Sequence, residues 1–265
     1  MNKIFDFKRF GKYFCFDLVS AWQRSGVTLL AIACLPVWIF AIHQLFGLIF
    51  GGQFGSFGIG GIAAAYISSF FFAVIAFPVQ NYGHLTDKKA GSDWLMLPAS
   101  RLEKFASVLL ITCVVVPLVW FAVIVACDGL LSLLFNTYPA MGLPKMMDGL
   151  GSVLAEFHSE NVSFAVGGPW AIYLSWCADI LVFTLGAMYF RKHKVVYTFL
   201  SLFALGLLMT MAFGILFNGN MHISPEDINE DSLMHTLNAV VYVLYVVEFV
   251  VLDLAIFFRI KTLKH

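Results

Sequence analysis

"GSDWLMLPASRLEKF", Gly91–Phe105, is the stretch on which the reading of this chain turns. It is charged and proline-containing, yet it lies between two of the most apolar runs in the sequence. Ser100 and Glu103 form an S-x-x-E capping box, in which the serine hydroxyl accepts from the amide of Glu103 and the glutamate reaches back to the amide of Ser100. Pro98 disfavours helix at the residue before it, Leu97. The spacing therefore predicts that one helix ends before Pro98 and a new one starts near Arg101. Asp87, Lys88, Lys89 and Asp93 set the polar character of the connection, and Trp94, Leu95, Met96 and Leu97 make an apolar tip within it.

Working outward, the 265 residues are 60% hydrophobic and only 12% charged, about half the usual charged share of a soluble domain. Mean hydropathy is +0.86. Such a composition cannot cover its own apolar surface, so the chain is expected to sit in a lipid bilayer. Formal net charge is zero, and no basic excess points to nucleic acid. A transmembrane helix needs ~20 largely apolar residues to cover ~30 Å of hydrocarbon. Six stretches meet that length, at about 26–50, 57–79, 105–135, 165–190, 195–217 and 237–258. Pro117 is expected to kink the third. With no internal repeat or linker, residues 1–265 read as a single all-α transmembrane domain.

The cations fix the expected orientation. Lys3, Lys8, Arg9, Lys12 and Arg24 precede the first span. Lys88, Lys89, Arg101 and Lys104 lie between the second and third, and Arg191, Lys192 and Lys194 between the fourth and fifth. Arg259, Lys261 and Lys264 follow the sixth, leaving only Lys145 on the other side. The positive-inside rule then places both termini in the cytoplasm, as in a multi-pass protein of the bacterial cytoplasmic (inner) membrane. Residues 1–25 read as an amphipathic helix at the interface. Ile4, Phe7, Phe10, Phe14 and Leu18 recur on one face and Lys8, Arg9 and Lys12 on another. No cleavable signal peptide is expected, because Lys3–Trp22 is too charged. On the outer side, Met146–Phe157 has helical spacing. Ser224 and Pro225 form a helix start.

The connecting segment resembles the cytoplasmic loop of ABC exporter permeases of the type-2 class, through Gly91, Leu95, Leu97, Pro98, Ser100, Arg101 and Glu103. The resemblance implies the six-span plan with an N-terminal interfacial helix. It also implies a loop, residues 80–104, that docks a separate P-loop ATPase. Gly91, Trp94, Leu95, Met96, Leu97, Pro98, Ser100, Arg101 and Glu103 become the docking candidates. It further implies pairing with a second copy or a related permease through the first and fifth spans. Small residues recur there at four-residue steps: Gly47 and Gly51, then Gly206, Thr210 and Gly214.

The chain itself has no G-x-x-x-x-G-K-[ST] motif, so no enzyme activity is expected of it, and any ATP and Mg would be bound by a partner subunit. Its seven histidines lack metal-ligand spacing, and no metal or other cofactor is expected. The five cysteines, Cys15, Cys34, Cys113, Cys127 and Cys177, read as inert thiols in or beside apolar segments. Four acids fall within apolar runs: Asp128, Asp179, Glu248 and Asp253. Asp128 and Asp253 lie towards span ends and are expected to reach an interface. Asp179 and Glu248 lie near mid-span, where an ionised acid costs roughly 2.5–3.5 kcal/mol. They either line a polar translocation path or make interhelical hydrogen bonds. The leading expectation is the permease subunit of an ATP-driven exporter, and the alternative is a non-transporting membrane scaffold or sensor.

Overall fold

A computed structural model describes residues 5–50, 59–86, 88–135, 168–217 and 230–262. Regular structure among them is entirely helical. Four stretches are long and apolar enough to cross a membrane: Phe7–Ile49, Ala64–Thr86, Arg101–Leu134 and Lys194–Met211. Tyr173–Tyr189 is a shorter apolar helix. In the third stretch the charged first turn, Arg101–Lys104, precedes the apolar run. The expected outer helices at Met146–Phe157 and Ser224 lie outside the described residues.

The first rod consists of α1 (Phe7–Ala33) and α2 (Leu35–Ile49). It passes through residues 25 and 26, the expected boundary of the interfacial helix, without interruption and breaks instead at Cys34. Pro36 is the cause. It has no N–H to return to the carbonyl of Ile32 four residues earlier, and its ring crowds that turn. The Ser69 hydroxyl donates to the Ile32 oxygen at 2.8 Å, and the indole Nε1 of Trp120 donates to Ser69 Oγ at 3.1 Å. The N-terminal part of α1 also differs from a helix lying free on a membrane. Phe14 and Leu18 pack against the core, and Phe7 remains exposed. Ile4 lies outside the described residues.

After α3 (Ile59–Tyr82) and a 3-10 turn (Gly83–Thr86), α4 (Lys88–Met96) and α5 (Arg101–Leu109) form the connection read from Gly91–Phe105. The break between them spans Leu97 to Ser100, as Pro98 predicts. The next rod continues through a π-helical segment (Leu110–Val115) into α6 (Val116–Leu134). The widened turn lies just before Pro117, where a kink was expected. Cys113 is four residues before Pro117 and receives no N–H from it. Its carbonyl oxygen accepts from the Tyr173 hydroxyl at 2.6 Å. In both rods a neighbouring hydroxyl supplies the donor that proline withholds, a standard requirement where no water is at hand.

The chain closes with α7 (Gly168–Tyr189), α8 (Lys194–Phe217) and α9 (Glu230–Thr262). Helix α7 is central and touches α3, α8, α9 and the π-helical segment. At its middle Trp176 meets Phe70 and Trp120 edge-on, with ring centroids 4.4 and 4.8 Å away. Near its end, a side chain added at Gly186 would run into Thr198. That notch lets α8 lie close, while residues 199–211 of α8 face outward. Gly47 and Gly206, on the small-residue steps of α2 and α8, also face open space.

Candidate functional site

The basic segments gather at one end of the molecule. There the capping box of α5 is complete: Glu103 N–H donates to Ser100 Oγ at 3.2 Å, and Ser100 N–H donates to Glu103 Oε2 at 2.8 Å. The same carboxylate does more than cap. Arg9 Nη2 donates to Oε1 at 2.7 Å, Arg9 Nε donates to Oε2 at 2.8 Å, and the Asp6 amide donates to Oε1 at 3.0 Å. Asp6 is itself the N-cap of α1 and accepts from Lys8 N–H. Glu103 is buried and Arg9 is 43% exposed. The Arg9 hydrogen bonds, helped by the two backbone donors, hold the Glu103 carboxyl down to about 2 against an ordinary 4.5. A second tie lies two turns along α1, where Ser107 Oγ donates to Asp17 Oδ2. Helix α1 is therefore clamped along α5, the start of the rod that continues into α6.

Lys104 fixes the other half of the connection. Its ammonium is buried and donates to the carbonyls of Trp94 at 2.8 Å and Leu95 at 3.1 Å. It also lies 4.8 Å from the centre of the Trp94 ring. A cation on the last carbonyls of a helix satisfies orphan acceptors and opposes the negative end of the helix dipole. Helices α4 and α5 thus form a braced elbow.

This bracing changes which docking candidates are presented. Gly91 and Trp94 are buried, and Leu95 and Leu97 are half-buried against the core. Ser100 and Glu103 are committed to the capping box. Met96, at 80% exposure, is the apolar tip, flanked by exposed Asp93, Pro98 and Arg101. The helical period explains the division: residues 91, 94 and 95 share one face of α4, and 93 and 96 share another.

The mid-span acids are on neighbouring helices, Asp179 on α7 and Glu248 on α9. Both are exposed on the single chain. They are near enough for each to act electrostatically on the other, and both act on Tyr245. Neither has an ion-pair partner among the described residues. The other two acids turn inward. Asp128 is buried and accepts from the Tyr66 hydroxyl at 3.0 Å. Asp253 Oδ1 is buried without a hydrogen-bond partner among the described residues, and Arg259, six residues on, donates to the Met188 carbonyl.

The functional residues that sequence reasoning missed are Arg9, Asp6 and Lys104 as bracing groups. The capping box marked Glu103, but nothing local showed that its carboxylate had capacity for a distant arginine. Among the described residues no group of three or more metal-ligating side chains occurs, and the cysteines are free thiols. No protein-family model, curated protein or solved structure matches the chain.

Proposed function

We propose that this chain is the transmembrane permease subunit of an ATP-driven exporter and that its α4–α5 elbow docks a separate P-loop ATPase. The observation that carries the reading is the braced elbow itself, with Met96 exposed between Asp93 and Arg101 while Trp94, Leu95 and Leu97 are turned inward. A connection serving only to join two spans needs no such bracing. A surface that receives force from a moving partner does, because slack in the contact would dissipate the motion. The chain crosses the bacterial inner membrane six times, with both termini cytoplasmic and the first part of α1 at the interface. It pairs with a second copy or a related permease, through the bare small-residue faces of α2 and α8. ATP and Mg bind on the partner ATPase, and this chain performs no catalysis. Asp179 and Glu248 line the polar path, which resolves their exposure on a single chain.

The test is Met96→Asp in the reconstituted complex. It places a charge at the tip without touching the core, unlike changes at Leu95 or Leu97. Stimulation of the partner's ATP hydrolysis by the membrane subunit should fall at least tenfold while the helical content of the bundle is unchanged. Stimulation equal to that of the unaltered chain would contradict the docking role.

A further inference from the structure

The outward-facing residues of α7, α8 and α9 are not a smooth surface. They enclose a half-open groove of about 660 Å³. Its walls are hydrocarbon, with Leu202 and Leu205 from α8 and Val251 and Ala255 from α9. The serine and threonine hydroxyls of the lining do not change this, because Thr198 donates to Lys194 O, Ser201 to Thr198 O and Thr262 to Arg259 O, each within its own helix. The two ends of the groove are polar. Along α9 the lining runs from Glu248 at one end to Arg259 and Thr262 at the other. Glu248 and Arg259 are separated by eleven residues of continuous α9, or ~16 Å at ~1.5 Å per residue. That is close to the depth of one leaflet of hydrocarbon, ~15 Å.

Arg259 stands at the basic end of the molecule. Its Nε donates to Met188 O at 3.0 Å, and its guanidinium lies 5.3 Å from the centre of the Tyr189 ring. These contacts fix the plane of the group, and its terminal nitrogens have no partner among the described residues. A guanidinium held in this way presents a fork suited to a phosphate oxygen pair. A compact soluble anion would have no use for the apolar length above it, and an uncharged chain would leave Arg259 unanswered.

From this combination we infer that the groove between α7, α8 and α9 is a binding site for one anionic phospholipid, its phosphate on Arg259 and an acyl chain laid along the groove towards Glu248. The inference rests on the chain's embedding in a bilayer and is independent of any partner ATPase. The site places a lipid against α8 beside the Gly186 notch, so its occupancy stiffens the packing of α7, α8 and α9.

The experiment uses the full chain in a non-ionic detergent. Native mass spectrometry counts bound lipid during titration with phosphatidylglycerol or phosphatidylcholine of identical acyl chains. The unaltered chain should retain one phosphatidylglycerol at least fivefold more tightly than phosphatidylcholine. Arg259→Gln should abolish the headgroup preference, and Arg259→Lys should keep part of it. Ala255→Phe should weaken retention of both lipids by filling the groove without altering charge. Arg191→Gln, a change to an exposed cation outside the groove, should change nothing. Ala255→Phe leaves the Met188 contact intact, so it tests the site even where Arg259→Gln perturbs the fold. The inference is overturned by a preference that survives Arg259→Gln, by retention indifferent to Ala255→Phe, or by displacement of the lipid with inorganic phosphate alone. It is equally overturned where no lipid is retained and Leu205→Cys crosslinks two copies across the groove.

Discussion

Glu103 shows how one side chain can serve two elements. As a capping residue it needs only the Ser100 amide, but its buried carboxylate also takes Arg9 and the Asp6 amide. The consequence is pH-dependent. A carboxyl held at about 2 in the folded chain and at 4.5 otherwise contributes stability that is full above 4.5 and is lost as pH falls towards 2. Glu103→Gln removes the charge and should cost ~1–3 kcal/mol at neutral pH, the scale of leaving buried donors poorly paired. Thermal denaturation of both forms should show that difference at pH 7 and its decline between pH 4.5 and 2. A difference constant across that window would mean that Glu103 acts only by shape. Lys104 permits a similar argument. Lys104→Met takes the ammonium from the carbonyls of Trp94 and Leu95 and loosens the turn in which the Leu97 amide donates to Trp94 O, so hydrogen exchange at Leu97 and Ala99 should accelerate at least tenfold. Unchanged exchange there would remove Lys104 from the bracing.

At the scale of the element, the informative features are the two interrupted rods. Pro117 was legible as a site of distortion, and Pro98 with Ser100 and Glu103 located the α4–α5 break to the residue. Pro36 was equally visible beside Cys34, but hydropathy alone does not register a break inside an apolar run. What no local pattern could supply was the donor that completes each site, because Ser69 and Tyr173 come from other helices. The two features are coupled, and the coupling is measurable. Tyr173→Phe should destabilise the chain by ~1 kcal/mol, the usual net value of a hydrogen bond. In a Pro117→Ala background the backbone regains an N–H within reach of the Cys113 carbonyl, and the same change should cost less than half as much. A double-mutant cycle on stability in detergent checks this. Equal costs in the two backgrounds would show that the tyrosine does not compensate for the proline.

For the whole molecule, composition pointed to a helical chain with several helices long and apolar enough to cross a membrane, and charge placement foreshadowed that the basic segments would meet at one end. The packing of α7 as the central helix was not legible, since its pattern resembles those of the outer helices. Bracing of the elbow was illegible for the same reason as the proline donors: Arg9 and Glu103 are separated by more than ninety residues. The exposed acids Asp179 and Glu248 belong at this scale too, because under the proposed function their surroundings are completed by a partner. Asp179→Asn with Glu248→Gln should leave that assembly intact while lowering its ATP hydrolysis several-fold. Hydrolysis equal to that of the unaltered complex would assign these acids to structure alone.

The central claim is that the elbow at Met96 receives an ATPase. It is tested most directly by affinity capture of the chain from native membranes in mild detergent, followed by mass-spectrometric identification of what accompanies it. The account predicts a P-loop ATPase in near-equal amount to the chain, retained by the unaltered protein and lost with Met96→Asp. Repeated recovery of the chain without an ATPase, or equal recovery with Met96→Asp, would contradict it.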